Sequence, residues 1–390
     1  MGARTPPPPS VKSQGSKRVP EAKGSSAERR RRGKAPVVTR NADLPQELER
    51  ERLFLEEMAP STVTRVAVQL VRDGLGRPIV VPVLVARGRR PGPVLGITAA
   101  VHGNELNGIR VIHELFERLD LSQLRGTVVG VTAVNVPGLH NHDRLFVDGK
   151  DLNHLFPGSP HGDVAQVYAH RFVDRVVSRF DALVDLHTAS FGRINSLYVR
   201  ADMKHPLCAR MAYLQRPQII VHNPASDRTL RGTAMELSIP AITVEIGDPQ
   251  RFQPKYIRSC GNGVRRVLAD AQMLPLRSPK EGDEPVLCRK SYWLYTDRGG
   301  LLEVLPAATD HVAKGEIVAR LRNAYGDVVR EYAAPESGVV IGKSVNPVGQ
   351  TGARILHLGI LAPEDHAYYK QTEGVALKAI GNDEASRPDQ

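Results

Sequence analysis

Hydrophobic and polar positions change rhythm several times along the chain. Thr62 to Val71 alternates with the two-residue period of a half-buried strand. Asp73-Gly74-Leu75-Gly76 then supplies turn chemistry, and a β-branched run follows from Pro78 to Ala86, so the segment predicts a hairpin. Val94 to Val101 is instead continuously apolar, the pattern of a strand covered on both faces. Asn107 to Leu119 sets Ile109, Ile112, Leu115, Phe116 and Leu119 at helical spacing. Thr127 to Val134 predicts a second buried strand, Val164 to Phe180 a second amphipathic helix, Ala182 to Leu186 a third strand and Ala241 to Glu245 a fourth. Strands that alternate with helices predict an α/β fold, a mostly parallel mixed sheet flanked by helices. Ahead of the hairpin, Leu44 to Met58 is a short acidic amphipathic stretch.

From about Pro285 the texture changes. Tyr292 to Tyr295, Leu301 to Val304, Ile317 to Arg320, Val328 to Tyr332, Val339 to Ile341 and Arg354 to Gly359 are strand-like runs separated by Gly, Pro, Asn and Asp. No helical period intervenes until near Asp365, which predicts a smaller C-terminal all-β domain. The expected organisation is a tail over residues 1–42, a catalytic domain over 43–284, a β-rich domain over 285–376 and a C-terminal tail over 377–390.

Composition narrows the function classes. The 390 residues are 41% hydrophobic and 24% charged, enough for a soluble chain with a substantial core. No window approaches 18 consecutive apolar residues, so no membrane-spanning helix is expected. Cys208, Cys260 and Cys288 stand far apart without a CxxC pair, which argues against a disulfide scaffold and fits a reducing compartment. The N-terminus lacks the apolar run of a secretion signal, and a cytoplasmic location is expected.

The formal charge of +11 suggests a nucleic-acid binder until it is divided along the chain. Residues 1–40 hold eleven Lys and Arg against Glu21 and Glu28, a balance of +9 that leaves about +2 for the remainder. With Pro6 to Pro9 and Arg29 to Arg32 in it, this segment cannot bury enough apolar surface to offset its ordering entropy and is expected to be disordered. It could touch a polyanion, but a solvated tail is the expected state, with no specific nucleic-acid partner.

Open α/β sheets place their sites at the carboxyl ends of strands. Three groups fall there: His102-Gly103-Asn104-Glu105, Asp185-Leu186-His187-Thr188 and Val244-Glu245-Ile246-Gly247. Two histidines and a carboxylate form the ligand set of hydrolytic zinc sites, which keep a fourth position open. An isolated HxxE string is weak evidence among 13 histidines. Placement directly after buried strands brings a metal site and structural histidines to even weight on pattern alone.

Val94 to Gly247 resembles the succinylglutamate desuccinylase/aspartoacylase family, relatives of the zinc carboxypeptidases. The shared strings are Ala100-Val101-His102-Gly103-Asn104-Glu105, Asn135-Val136-Pro137-Gly138, Arg144, Asp148-Gly149-Lys150-Asp151-Leu152-Asn153 with Phe156-Pro157-Gly158, Asp185-Leu186-His187, and Thr243-Val244-Glu245-Ile246-Gly247. The resemblance implies a zinc carboxypeptidase-like fold and one Zn²⁺ per chain held by His102, Glu105 and His187. It further implies Glu245 as general base and Arg144 as the cation that polarises the scissile carbonyl. Asp151 is implied as the carboxylate orienting a ligand histidine, and Asn153 as a binder of the substrate's carboxylate end. Without the resemblance, Asp151 and Asn153 would pass as ordinary turn residues.

One position departs from the pattern. Relatives continue Asp-Leu-Asn with an arginine, whereas this chain has His154, a single titrating donor in place of a rigid fork. His154 is therefore a candidate substrate-binding residue with an altered preference. The C-terminal segment resembles biotinyl/lipoyl sandwich domains, yet Arg322-Asn323-Ala324-Tyr325-Gly326 at the carrier hairpin has no lysine. A wall or cap for the active-site mouth, lending an aromatic such as Tyr325, is expected instead, or else a packing appendage.

The function expected is a zinc-dependent amidohydrolase that deacylates a small N-acylated amino acid or related amide. Carboxypeptidase-like cleavage of short peptides or amino-acid conjugates is the alternative. A non-catalytic binding protein with a vestigial site comes third, because ligands, base and arginine are all present. The partner expected is thus a small acylated amino acid or short peptide, with the oligomeric state, a homodimer included, left open.

Overall fold

The structure, a computed structural model, describes residues 47–224, 228–275, 284–363 and 377. The basic tail read from the sequence and almost all of the C-terminal tail lie outside the described residues. The acidic stretch before the hairpin becomes a short strand, β1 (Glu47–Arg50), parallel to its neighbour, and one 3-10 turn at Leu55–Glu57. Its apolar residues Leu53 and Met58 are buried.

The hairpin forms as β2 (Thr62–Arg72) and β3 (Pro78–Arg87), with the Asp73 carboxylate accepting from the Leu75 and Arg77 amides in the turn. There follow β4 (Arg90–Ala99), α1 (Asn107–Glu117), β5 (Arg125–Val131), α2 (Val136–His140) and α3 (Val164–Arg175). Helix α3 starts on a capping box, in which Asp163 and Gln166 satisfy each other's backbone amides. It ends at Arg175, short of the predicted Phe180, and a 3-10 turn at Val177–Arg179 leads into β6 (Ala182–His187). Next come β7 (Arg193–Asn195), β8 (Leu197–Ala201), α4 (Pro206–Gln215), β9 (Ile219–His222), α5 (Leu230–Glu236), β10 (Ala241–Ile246) and α6 (Pro254–Asp270).

Strands β5, β4, β6 and β10 run parallel at the heart of the sheet. Two cores cover its faces. One packs Ile97, Val184 and Ile242 against α1, α4 and α6; the other packs Leu183 and Val129 with Tyr168 and Phe172 of α3. The C-terminal segment contributes β11 (Val286–Tyr295), β12 (Gly300–Val304), β13 (His311–Val312), β14 (Ile317–Arg322), β15 (Val328–Ala333), β16 (Gly338–Ser344), β17 (Val348–Gly349) and β18 (Arg354–Leu361).

These strands are not a separate appendage to the sheet. Among the described residues the main sheet runs β1-β2-β3-β5-β4-β6-β10-β8-β9-β11-β18-β16-β13, because β11 pairs parallel with β9 and antiparallel with β18. Strand β7, on the loop that follows β6, pairs with β16. A second, antiparallel sheet of order β15-β14-β12-β17 completes the all-β region. The architecture is a mixed sheet flanked by helices, with a C-terminal all-β region. Among the described residues, no helix is long and apolar enough to cross a membrane.

Candidate metal centre

Side chains alternate across a sheet, and in β6 and β10 that alternation divides the chemistry. Ala182, Val184, Leu186, Ile242, Val244 and Ile246 all enter the core beneath α1, α4 and α6. Asp185, His187, Thr243 and Glu245 therefore share the opposite face. Register places Thr98 beside Asp185 and His187 beside Glu245, so a polar ladder crosses the carboxyl ends of the parallel strands.

The first ligand pair sits on the turn after β4. Ala100 takes a left-handed φ of 51° to start it. Gly103 is required for closeness rather than for angle, since a Cβ there would collide with the Gly138 and Leu139 backbone of α2. The turn is tied to β10 through buried Asn107, whose Nδ2 donates to the Ile246 carbonyl at 2.7 Å and whose Oδ1 accepts from the Gln253 amide at 2.9 Å. Sequence positions more than eighty residues apart are thereby held to one face.

His102, Glu105 and His187 converge, all buried, with one candidate ligand atom from each lying within 4.8 Å of the others. His102 Nδ1 is 2.8 Å from Glu105 Oε1, His187 Nδ1 is 2.9 Å from Glu105 Oε2, and the two Nδ1 atoms are 3.3 Å apart. The far nitrogens are engaged by carboxylates: His102 Nε2 by Asp151 Oδ1 at 3.0 Å, and His187 Nε2 by Asp185 Oδ2 at 2.8 Å. Donation from each Nε2–H turns an Nδ1 lone pair inward, the orientation that carboxylate–histidine–metal arrangements use. Two inward lone pairs beside a carboxylate form a converging set of acceptors, a donor set that fits a divalent metal. Burial disfavours charge on His187, yet Asp185 and Glu105 raise its pKa well above the ordinary histidine value. Burial likewise opposes ionisation of Glu105, but His102 and His187 hold its carboxyl well below the usual range. Both shifts express one demand, positive charge at the centre of the cluster.

The other sequence candidates surround this centre. Arg144, on the loop after α2, reaches Glu105 Oε1 at 3.0 Å, Ser190 Oγ at 2.6 Å and Asp151 Oδ2 at 2.9 Å. Asp151 has two functions at once: its Oδ1 takes His102 and also caps a 3-10 turn by accepting from the Asn153 amide at 3.0 Å. Asn153 Oδ1 accepts from the first amide of α5, at Leu230, which fixes the loop against that helix. His154 is 69% exposed, its Nε2 3.9 Å from Asp151. Glu245 accepts from Asn195 Nδ2 at 3.2 Å, with Arg200 Nε 3.7 Å away. Burial raises the Glu245 pKa above the ordinary value, although Arg200 pulls the other way.

His102, Glu105 and His187 line one cavity of about 410 Å³ together with Arg144, Asn153, His154 and Glu245. Ser291, Tyr292, Trp293, Arg354 and His357 line it too, so the C-terminal β region forms part of the wall. The aromatics it lends are Tyr292 and Trp293, not Tyr325, which lies 92% exposed in the β14–β15 turn. Sequence reasoning also passed over Asp185 as the partner of His187. The Asp-x-His spacing on a strand was the available signal, since residues two apart share a face. Asn195, Arg193 and Arg354 carried no local signal, because only β7 pairing with β16 brings the two segments together.

Comparison with known proteins agrees with this geometry. Residues 91–271 match the succinylglutamate desuccinylase/aspartoacylase catalytic domain. The chain is 27% identical over 279 residues to the N-alpha-acetyl-L-2,4-diaminobutyric acid deacetylase of Halomonas elongata, covering 67% of this chain and 80% of that one. Its fold is shared with the product-bound ectoine utilization protein of Ruegeria pomeroyi, at TM-score 0.70 and 22% identity over 77% of this chain and 95% of the other. It is shared also with a succinylglutamate desuccinylase/aspartoacylase from Rhodobacter sphaeroides, at TM-score 0.68 and 24% identity over 78% and 96%. Residues 91–271 are thus a match to the succinylglutamate desuccinylase/aspartoacylase catalytic domain.

Proposed function

We propose that the chain is a zinc-dependent hydrolase that cleaves the amide bond of a small N-acylated amino acid. The observation that carries this reading is the convergence of His102 Nδ1, His187 Nδ1 and the Glu105 carboxylate, beside Glu245 and Arg144. The deacetylase from Halomonas elongata, alike over two thirds of the chain, supports the reaction class.

His102, Glu105 and His187 would hold one Zn²⁺ per chain, which would supply Lewis acidity and a water of lowered pKa, from about 15.7 toward 7. Asp151 and Asp185 fix the two imidazoles. Glu245 takes the proton of the attacking water and passes it to the leaving amine; its burial suits that task by bringing its pKa nearer neutrality. Asn195 holds the Glu245 carboxylate in place meanwhile. Arg144, pinned by Asp151 and Ser190, presents a permanent charge to the developing oxyanion. Asn153 and His154 line the same cavity and are candidate substrate contacts.

A cavity of about 410 Å³ lies at the small end of the range for ligand sites, which favours an acylated amino acid over a peptide. We take residues 43–284 as the hydrolase and 285–376 as the region that completes its wall. Three free, buried cysteines fit a reducing compartment such as the cytoplasm. Amine release from a panel of N-acetyl amino acids, N-alpha-acetyl-L-2,4-diaminobutyrate among them, tests the reading. Zinc-dependent release that a chelator abolishes is the expected result. Cleavage of dipeptides with no release from any N-acyl amino acid would point to the carboxypeptidase alternative, and inertness toward both would end it.

A further inference from the structure

The wall of this cavity also carries a group of residues that the proposed chemistry does not use. Trp293 of β11 and His357 of β18 are register partners, and their rings stack with centroids 5.1 Å apart and planes 9° from parallel. Two arginines approach the same indole: the Arg193 Cζ lies 5.6 Å from its centroid and the Arg354 Cζ 5.4 Å. Arg193 opens β7, whose pairing with β16 brings it to the C-terminal strands, and Arg354 opens β18. All four side chains line the cavity that holds His102, Glu105 and His187.

Neither the Arg193 nor the Arg354 guanidinium has a hydrogen-bonded or ion-paired partner among the described residues. Stacking on an aromatic ring occupies the face of a guanidinium and leaves its in-plane N–H groups free, the edge that forks onto a carboxylate. The two carboxylates that line the cavity are committed elsewhere, Glu105 to the histidines and Arg144, Glu245 to Asn195 and Arg200. Burial lowers the Arg193 pKa to about 10, with Arg354 and Arg144 adding repulsion. Arg193 is half-buried and Arg354 exposed, and like charges brought to one cavity wall gain when an anion joins them.

His357 adds an independent mark. It is 3% exposed, and one ring nitrogen bonds Ser291 Oγ at 2.8 Å. The other, Nδ1, is buried without a partner among the described residues. A buried polar atom left so is costly unless a ligand completes it. Burial and the nearby Arg200, Arg354 and Arg193 keep the ring neutral, so it adds a hydrogen-bonding group and no further charge. His154, by contrast, is largely in solvent and offers a single donor.

We propose that Arg193 and Arg354, held against Trp293, form with His357 a carboxylate-binding subsite for the free carboxylate of an N-acyl amino acid. This deepens the deacylase reading and rests on it for the identity of the ligand. The subsite belongs jointly to the loop after β6 and to the C-terminal β region, so that region is a determinant of specificity as well as a wall.

The test uses a probe that cannot be turned over, N-methylsulfonyl-L-alanine, together with its α-carboxamide. Both are titrated into the zinc-supplemented full-length chain, into Arg354→Gln and into Arg193→Gln, with binding followed by ligand-observed NMR. The wild type is expected to bind the acid about 10- to 100-fold more tightly than the carboxamide, the worth of a charge-assisted pair. In either variant the preference is expected to fall to within about threefold. Equal binding of acid and carboxamide by the wild type overturns the proposal, as does a preference that survives both substitutions or collapses only in His154→Gln. Equal binding by the wild type overturns the proposal even if one variant fails to fold, and the other variant then decides whether a preference is arginine-dependent. Amine release from N-acetyl-L-alanine, followed separately, keeps the two readings apart. A chain with an arginine-dependent acid preference but no release retains the subsite and loses the deacylase reading. A chain that releases amine without any acid preference does the reverse.

Discussion

Asp185 and His187 lie two residues apart on β6 and bond to each other, Oδ2 to Nε2, at 2.8 Å, with both side chains buried. Thr98 Oγ1 donates to the other Asp185 oxygen at 2.7 Å, so the carboxylate is held from β4 while it holds the histidine. Together with the Asp151–His102 bond, this gives both candidate ligand imidazoles a fixed tautomer and a fixed plane.

Asp185→Asn keeps the size of the side chain and removes the charge that orients His187. Metal affinity is expected to fall about 10- to 100-fold, as read by competition against a chelator of known affinity. Unchanged affinity would mean that Asp185 has no part in preparing the ligand.

Glu245→Gln preserves the cross-strand position beside His187 and the reach of Asn195, but an amide cannot accept the proton. The variant is expected to retain its metal while kcat falls about 10²- to 10⁴-fold. Turnover at the parental rate would remove Glu245 from the role of base.

Much of this was legible in the sequence, for reasons of physics. The Val94–Val101 run and the strands ending at His187 and Glu245 are buried on both faces, so their apolar patterns stand out and their last residues must lie at the carboxyl edge. Helix α1 shows its period because one side meets the core. Elements between Arg193 and His222 were not legible: β7 spans Arg193–Asn195 and β9 Ile219–His222, too short to establish a period. The reason for glycine at position 103 is its approach to α2, a tertiary fact that no local pattern carries. Trp293 and Arg354 were invisible for the same reason, since the β11–β18 pairing that brings them to the cavity spans about sixty residues of chain.

His357 gives a pH prediction. Burial, then the surrounding arginines, lowers its folded pKa well below the ordinary value of 6.5. As pH falls through 6.5 the unfolded chain takes up a proton that the folded chain refuses, so folded stability is lost on acidification, by up to about 1.4 kcal/mol per pH unit from this group. Urea unfolding at pH 7.5, 6.5 and 5.5 should show a shallower loss in His357→Gln than in the wild type. Parallel slopes would mean that His357 titrates normally in the folded protein.

Metal content tests the central claim most directly. Purified, zinc-supplemented and dialysed chain is expected to hold about one zinc by elemental analysis, and a folded His187→Ala variant, checked by circular dichroism, almost none. Wild-type protein without stoichiometric metal, or a variant that keeps the full complement, would contradict the assignment of His102, Glu105 and His187 as the ligands of a hydrolytic ion.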